Sequence, residues 1–110
     1  MGVVKPERFD IFLTTLDPTK GAEINKIRPC VVISSNEINF NLSTIIIAPM
    51  TTSIRKYPCR VNLKFDSKEG QVAFDQMRSV DKSRLLKKLG CLDKKTQQLL
   101  TDKLIEMFKG

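Results

Sequence analysis

Four short polar segments hold the side chains one would choose for phosphate chemistry: Thr19-Lys20-Gly21-Ala22-Glu23, Arg28-Pro29, Thr51-Thr52-Ser53 and Asp75-Gln76-Met77-Arg78-Ser79. Each adjoins a run rich in β-branched or apolar residues, so a rigid sheet could hold its side chains at a fixed geometry. Arg28 is the most constrained of them. Pro29 biases its backbone to an extended form, and the buried β run that follows would keep its planar guanidinium at the mouth of a sheet rather than in bulk solvent. The alternative reading of Arg28 is a structural ion pair with Glu23 or Asp75.

Composition removes several chemistries. The chain of 110 residues contains no histidine, so a histidine base, a histidine metal ligand and a serine-histidine-aspartate triad are all impossible. Lysine and arginine number 19 against 12 acids, a net charge of +7, and six of those bases fall in one stretch: Lys82, Arg84, Lys87, Lys88, Lys94 and Lys95. A basic face is the footprint of a nucleic-acid binder; solvated surface lysines are the competing explanation. The three cysteines, Cys30, Cys59 and Cys91, have no CxxC spacing and read as reduced, buried thiols. With no signal-peptide pattern and no apolar run long enough to span a membrane, the expected location is cytoplasmic.

The elements that must position these side chains are mainly β. A length of 110 residues, 41% of them hydrophobic and 28% charged, suits one globular domain spanning 1–110. Residues 9–14, 30–34 and 43–50 read as strands too buried to alternate cleanly, with Pro49 ending the last of them at an edge or bulge. Residues 59–65 alternate apolar with polar at period two, a half-exposed strand. Residues 70–74 and 77–80 read as a further pair of short strands, and residues 35–41 as a polar connection. The period then changes: Asp93 can cap a helix to about Lys109, with Leu99, Leu100, Leu104, Met107 and Phe108 on one core-facing stripe. The fold class is mainly β with short helices, an α+β small barrel closed by a C-terminal helix.

Taken in order, Asp17-Pro18-Thr19-Lys20-Gly21-Ala22-Glu23, Arg28-Pro29-Cys30-Val31-Val32-Ile33-Ser34, Pro49-Met50-Thr51-Thr52, Asp75-Gln76-Met77-Arg78-Ser79-Val80-Asp81 and Leu89-Gly90-Cys91-Leu92 resemble the motifs of the MazF/PemK family of toxin endoribonucleases, at family spacing and over nearly the whole chain. The resemblance implies a PemK-like fold, an SH3-like twisted β-barrel with a C-terminal helix, assembled as a homodimer. It implies cleavage of single-stranded RNA without metal or other cofactor, and inhibition by an acidic, MazE-like antitoxin. Some members carry a histidine where this chain has Ala22, an arginine where it has Ala73, and a glycine where it has Phe9.

Position by position, the resemblance implies that Arg28 and Thr51 are catalytic, with Glu23 near the scissile phosphate and Asp75 and Gln76 on the bases. Metal-independent cleavage uses the substrate's 2′-hydroxyl as nucleophile, so DNA should be inert. Glu23, the carboxylate nearest Arg28 in sequence, is the candidate base, with Asp75 as substitute. Lys20, Thr52 and Arg84 complete the expected RNA-binding set, with residues 51–57 helping to choose the sequence. Two rival functions share such a barrel: a CcdB-like gyrase poison and a non-catalytic RNA-binding module.

Overall fold

The computed structural model describes residues 5–16, 21 and 26–110. Its elements in chain order are β1 (Asp10–Thr15), β2 (Ile27–Val32), α1 (Asn36–Asn41), β3 (Thr44–Thr51), β4 (Arg60–Phe65), β5 (Lys68–Ala73), β6 (Arg78–Asp81), β7 (Leu85–Cys91) and α2 (Lys94–Phe108). The strands form an antiparallel, curled sheet in the order β4-β5-β3-β2-β1-β7, with β6 added beside β3. The mainly β architecture with a C-terminal helix is the one the sequence implied.

β3 is the spine of this sheet. One edge pairs with β2 from Ile47 to Pro49; the other pairs first with β6, ending at Ile47 opposite Arg78, and then with β5 from Met50 opposite Val72. Pro49 therefore does not end the strand, as its type suggested. The Ile46 carbonyl accepts from Ile33 N on the β2 side, so by the alternation of a strand Pro49 faces the opposite edge. There its missing N–H falls in the gap between the β6 and β5 ladders. The strand runs on to Thr51, which is thus held by the sheet and is not part of a loop.

Both faces of the central strands are covered, which is why their sequences do not alternate apolar with polar. Ile11, Val31, Ala48 and Met50 belong to one cluster with Val61, Val72, Phe74 and Leu100, whereas Phe12, Cys30, Val32, Ile45 and Ile47 pack on the other face with Val80 and Leu85. β4 behaves as its period-two pattern predicts, turning Val61, Leu63 and Phe65 inward and Asn62 and Lys64 outward.

Three differences from the sequence reading have physical causes. Residues 36–41 form a short helix because the Ser35 hydroxyl caps it and the buried Asn39 amide is satisfied by the Ser34 carbonyl at 2.9 Å, a local polar network that looks like a loop composition. The middle of the basic stretch, with Lys87 and Lys88, is β7, an edge strand paired with β1, and lysines on an edge discourage pairing with another chain. On α2, Asp93 does cap, accepting from Thr96 N at 2.8 Å, and Leu100, Leu104 and Met107 pack on the core. Leu99 and Phe108, however, are 50% and 71% exposed, so the buried stripe is narrower than five residues.

Phe9 stands where the resemblance puts a glycine, and its φ is +72°, a conformation that costs a side-chain-bearing residue about 1–2 kcal/mol. Its ring is buried, and truncating a core phenylalanine typically costs about 3–5 kcal/mol, so burial outweighs the strain. The cysteines split by environment. Cys30 is buried, with its thiol pushed up to about 12 chiefly by desolvation; Cys59 is half-buried and Cys91 exposed, so only the first fits the expected inert thiol.

Candidate active site

The sheet brings Arg28 and Thr51 to one cleft. Arg28 sits on β2 opposite Thr14 of β1, and Thr51 is the last residue of β3, opposite Gln71 of β5. Both side chains are half-buried. They line a cavity of about 360 Å³ whose remaining walls come from Pro29, Met50 and Thr52, from Leu63, Phe65, Asp66, Lys68, Glu69, Gly70 and Gln71 of the β4–β5 hairpin, and from Leu89 of β7. Apolar side chains and charged or polar ones share this lining, the usual build of a ligand cleft.

Local chemistry fixes the Thr51 hydroxyl. Its oxygen accepts from Ser53 N at 3.1 Å, which leaves the hydroxyl proton to be donated elsewhere. Gly70 allows the approach that puts Thr51 there: a Cβ on Gly70 would lie 2.6 Å from the Thr51 carbonyl oxygen, closer than atoms can stand. The requirement is for space alone, since the Gly70 backbone is not in the left-handed region.

Behind Thr51, a second set of polar groups is fully engaged. Arg60 grips Asp75 through two parallel bonds, Nε to Oδ1 at 2.7 Å and a terminal nitrogen to Oδ2 at 3.0 Å, and lies over the Tyr57 ring at 5.0 Å. The hydrogen bonds from Arg60 hold the Asp75 carboxyl below its ordinary value of 3.8. The buried Gln71 amide clasps the chain beyond Thr51, accepting from Arg55 N at 3.0 Å and donating to Arg55 O at 2.9 Å.

Of the residues singled out from sequence, Arg28, Thr51 and Thr52 share the cleft. Asp75 does not line it and is tied to Arg60 rather than to Arg28. Gln76 is half-buried and also outside the cleft lining. Arg84 donates to the Thr15 carbonyl at 3.4 Å, and Arg78 donates to that of Leu16, so both anchor the end of β1. Lys20 and Glu23 lie outside the described residues. Sequence reasoning missed Gly70, Gln71 and Arg60. Gly70 carried a weak signal, a glycine opening a strand pattern; Gln71 and Arg60 carried none, because their partners are distant in sequence. Among the described residues no group of three or more histidine, cysteine, aspartate or glutamate side chains could hold a metal ion.

A curled antiparallel sheet with an arginine and two threonines in a cleft at the end of its spine defines a class, and comparison with known proteins identifies it. The family model described as "PemK-like, MazF-like toxin of type II toxin-antitoxin system" matches residues 7–108, and the chain belongs to that family. It is 32% identical over 99 residues to Endoribonuclease MazF of Staphylococcus saprophyticus subsp. saprophyticus, covering 84% of this chain and 82% of that one. The fold is that of MazF from Deinococcus radiodurans, with a TM-score of 0.83 at 24% identity over 98% of this chain and 100% of the other. The MazE-MazF crystal structure (Form-II) from the same organism gives a TM-score of 0.78 at 24% identity, over 97% and 98%.

Proposed function

We propose that this family member is itself an endoribonuclease, cutting single-stranded RNA at a short sequence with Arg28 and Thr51 as catalytic residues. The observation that carries the reading is that both line one 360 Å³ cleft, which gives it a planar cation and a hydroxyl donor. The 2′-oxygen of the substrate attacks the adjacent phosphorus as the bond from phosphorus to the 5′-oxygen breaks, giving a 2′,3′-cyclic phosphate and a 5′-hydroxyl. Arg28 meets the non-bridging oxygens with its guanidinium fork, where charge builds in the transition state. Thr51 adds its hydroxyl proton to the same oxygens.

One proton must leave the 2′-hydroxyl and another must reach the departing 5′-oxygen. Asp75 is the poorer base of the two carboxylates considered, because Arg60 stabilises its ionised form and so weakens its hold on a proton. The base role goes to Glu23, on the resemblance of its segment. A guanidinium holds its proton too tightly to be a good acid, so water supplies the second proton, directly or through Thr51 with water replacing the proton that Thr51 passes on. Thr52 and Lys20 would grip the flanking phosphates.

The partners follow from the family and the charge. An acidic, MazE-like antitoxin would complement the net charge of +7, as the MazE-MazF structures of D. radiodurans suggest by analogy. A homodimer acting on mRNA in the cytoplasm completes the reading; no described helix is long and apolar enough to cross a membrane. The test is incubation of the purified chain with a long single-stranded RNA in EDTA, beside DNA of the same sequence. Discrete RNA fragments with cyclic or 3′-phosphate ends and intact DNA are expected. RNA that stays whole overturns the reading.

A further inference from the structure

The β4–β5 hairpin separates the catalytic cleft from a second depression of about 340 Å³, lined by Ile54, Asn62, Leu63, Lys64, Glu69 and Gly70. The two share Leu63, Glu69 and Gly70. The chain leaving β3 connects them, since Thr52 lines the first and Ile54 the second. From Thr51 to Ile54 is at most about 11 Å of extended chain. An RNA strand with its scissile linkage at Thr51 would bring a neighbouring nucleotide over the second depression.

The hydrogen-bond network determines which group this depression presents. Backbone N–H can only donate and backbone C=O can only accept. Gln71 Oε1 faces Arg55 N and also accepts from the Arg60 guanidinium at 3.4 Å, while Gln71 Nε2 faces Arg55 O, so the orientation of this amide is unambiguous. The same Nε2 donates to Asn62 Oδ1 at 2.7 Å. Asn62 is thereby turned with its oxygen inward on the clasp and its Nδ2 donor left for a ligand. Beside it Ile54 is 57% exposed, an apolar wall against which a flat ring can pack.

We propose that this second depression is a nucleobase subsite that sets one position of the cleaved sequence. The base packs on Ile54, Asn62 Nδ2 donates to an acceptor on its edge, and Gln71 is the positioning residue that aims Asn62. Single-stranded RNA is read on such unstacked edges. The inference rests on the nuclease reading above and adds a specificity residue to it.

The test sequences the fragments produced by the full chain from a single-stranded RNA library randomised around the cut. Asn62→Asp keeps the oxygen that Gln71 binds but turns the presented donor into an acceptor, and Asn62→Leu removes both; Asn62 is exposed, so neither should unfold the chain. At one position of the site the favoured base should lose about tenfold of its advantage in both variants, while the other positions keep their preferences and the melting temperature holds. Unchanged profiles, or a loss spread evenly over all positions, overturn the subsite while leaving the nuclease standing. If the parent leaves the library whole, the nuclease reading falls and takes the subsite with it.

Discussion

Arg28 and Arg60 are both half-buried arginines on the same curled sheet, but their surroundings differ in kind. Arg60 is closed in by protein: Asp75 takes two of its bonds, Gln71 a third, and Tyr57 lies beneath it. Arg28 borders a cleft of 360 Å³ beside the Thr51 hydroxyl. The Arg60 guanidinium holds the loop after β3 in place, whereas Arg28 is also part of the lining of a cavity. Residue type alone therefore predicts little; what distinguishes the two is the cavity that Arg28 borders and Arg60 does not.

That contrast can be broken by substitution. Arg28→Ala should lower the cleavage rate by about 100- to 1,000-fold, the loss expected for one preorganised donor, with urea unfolding nearly unchanged. A variant that cuts within a few-fold of the parent would place Arg28 with Arg60 among the structural arginines. Gly70→Ala should come next. Displacing the Thr51 carbonyl by several tenths of an ångström should cost about ten- to a hundredfold in kcat, more than in KM, because geometry at the reacting linkage is lost rather than binding.

Arg60→Ala should act mainly on stability, lowering it by about 1–3 kcal/mol in urea titrations, as befits bonds to a charged partner. The effect should depend on pH. The folded Asp75 carboxyl lies below its ordinary 3.8, so the pair stabilises the fold in full above that value. The stabilisation is lost as pH falls through 3.8 toward the lower folded value. The parent and Arg60→Ala should converge in stability at the acid end and differ most near neutrality; a gap independent of pH would detach Asp75 from Arg60.

Much of the fold was legible because burial on two faces, the period-two pattern of β4 and the Asp93 cap are local signals. β7 was hidden by its lysines, which suit an edge strand as well as they suit a solvated loop. α1 was hidden because its stability comes from the Ser35 hydroxyl accepting from Ile38 N and from the Asn39 amide donating to the Ser34 carbonyl. At the site, Arg28 and Thr51 could be named from motif resemblance, and the sheet supplies the reason they meet. The Arg60–Asp75 pair spans 15 residues and the Gln71–Arg55 clasp spans 16, distances at which neither periodicity nor neighbouring residues carry information. Gly70 was legible only as a small residue, because the carbonyl that excludes a Cβ belongs to another strand.

The central claim is that Arg28 and Thr51 act together on one ribose-phosphate linkage. Single-turnover cleavage of one defined oligonucleotide by the parent, Arg28→Ala, Thr51→Ala and the double variant tests it most directly. Groups that stabilise the same charge lose less together than the product of their separate losses, so the double variant should be scarcely slower than Arg28→Ala alone. Losses that multiply in full would mean that the two side chains work on separate events, and would contradict the account.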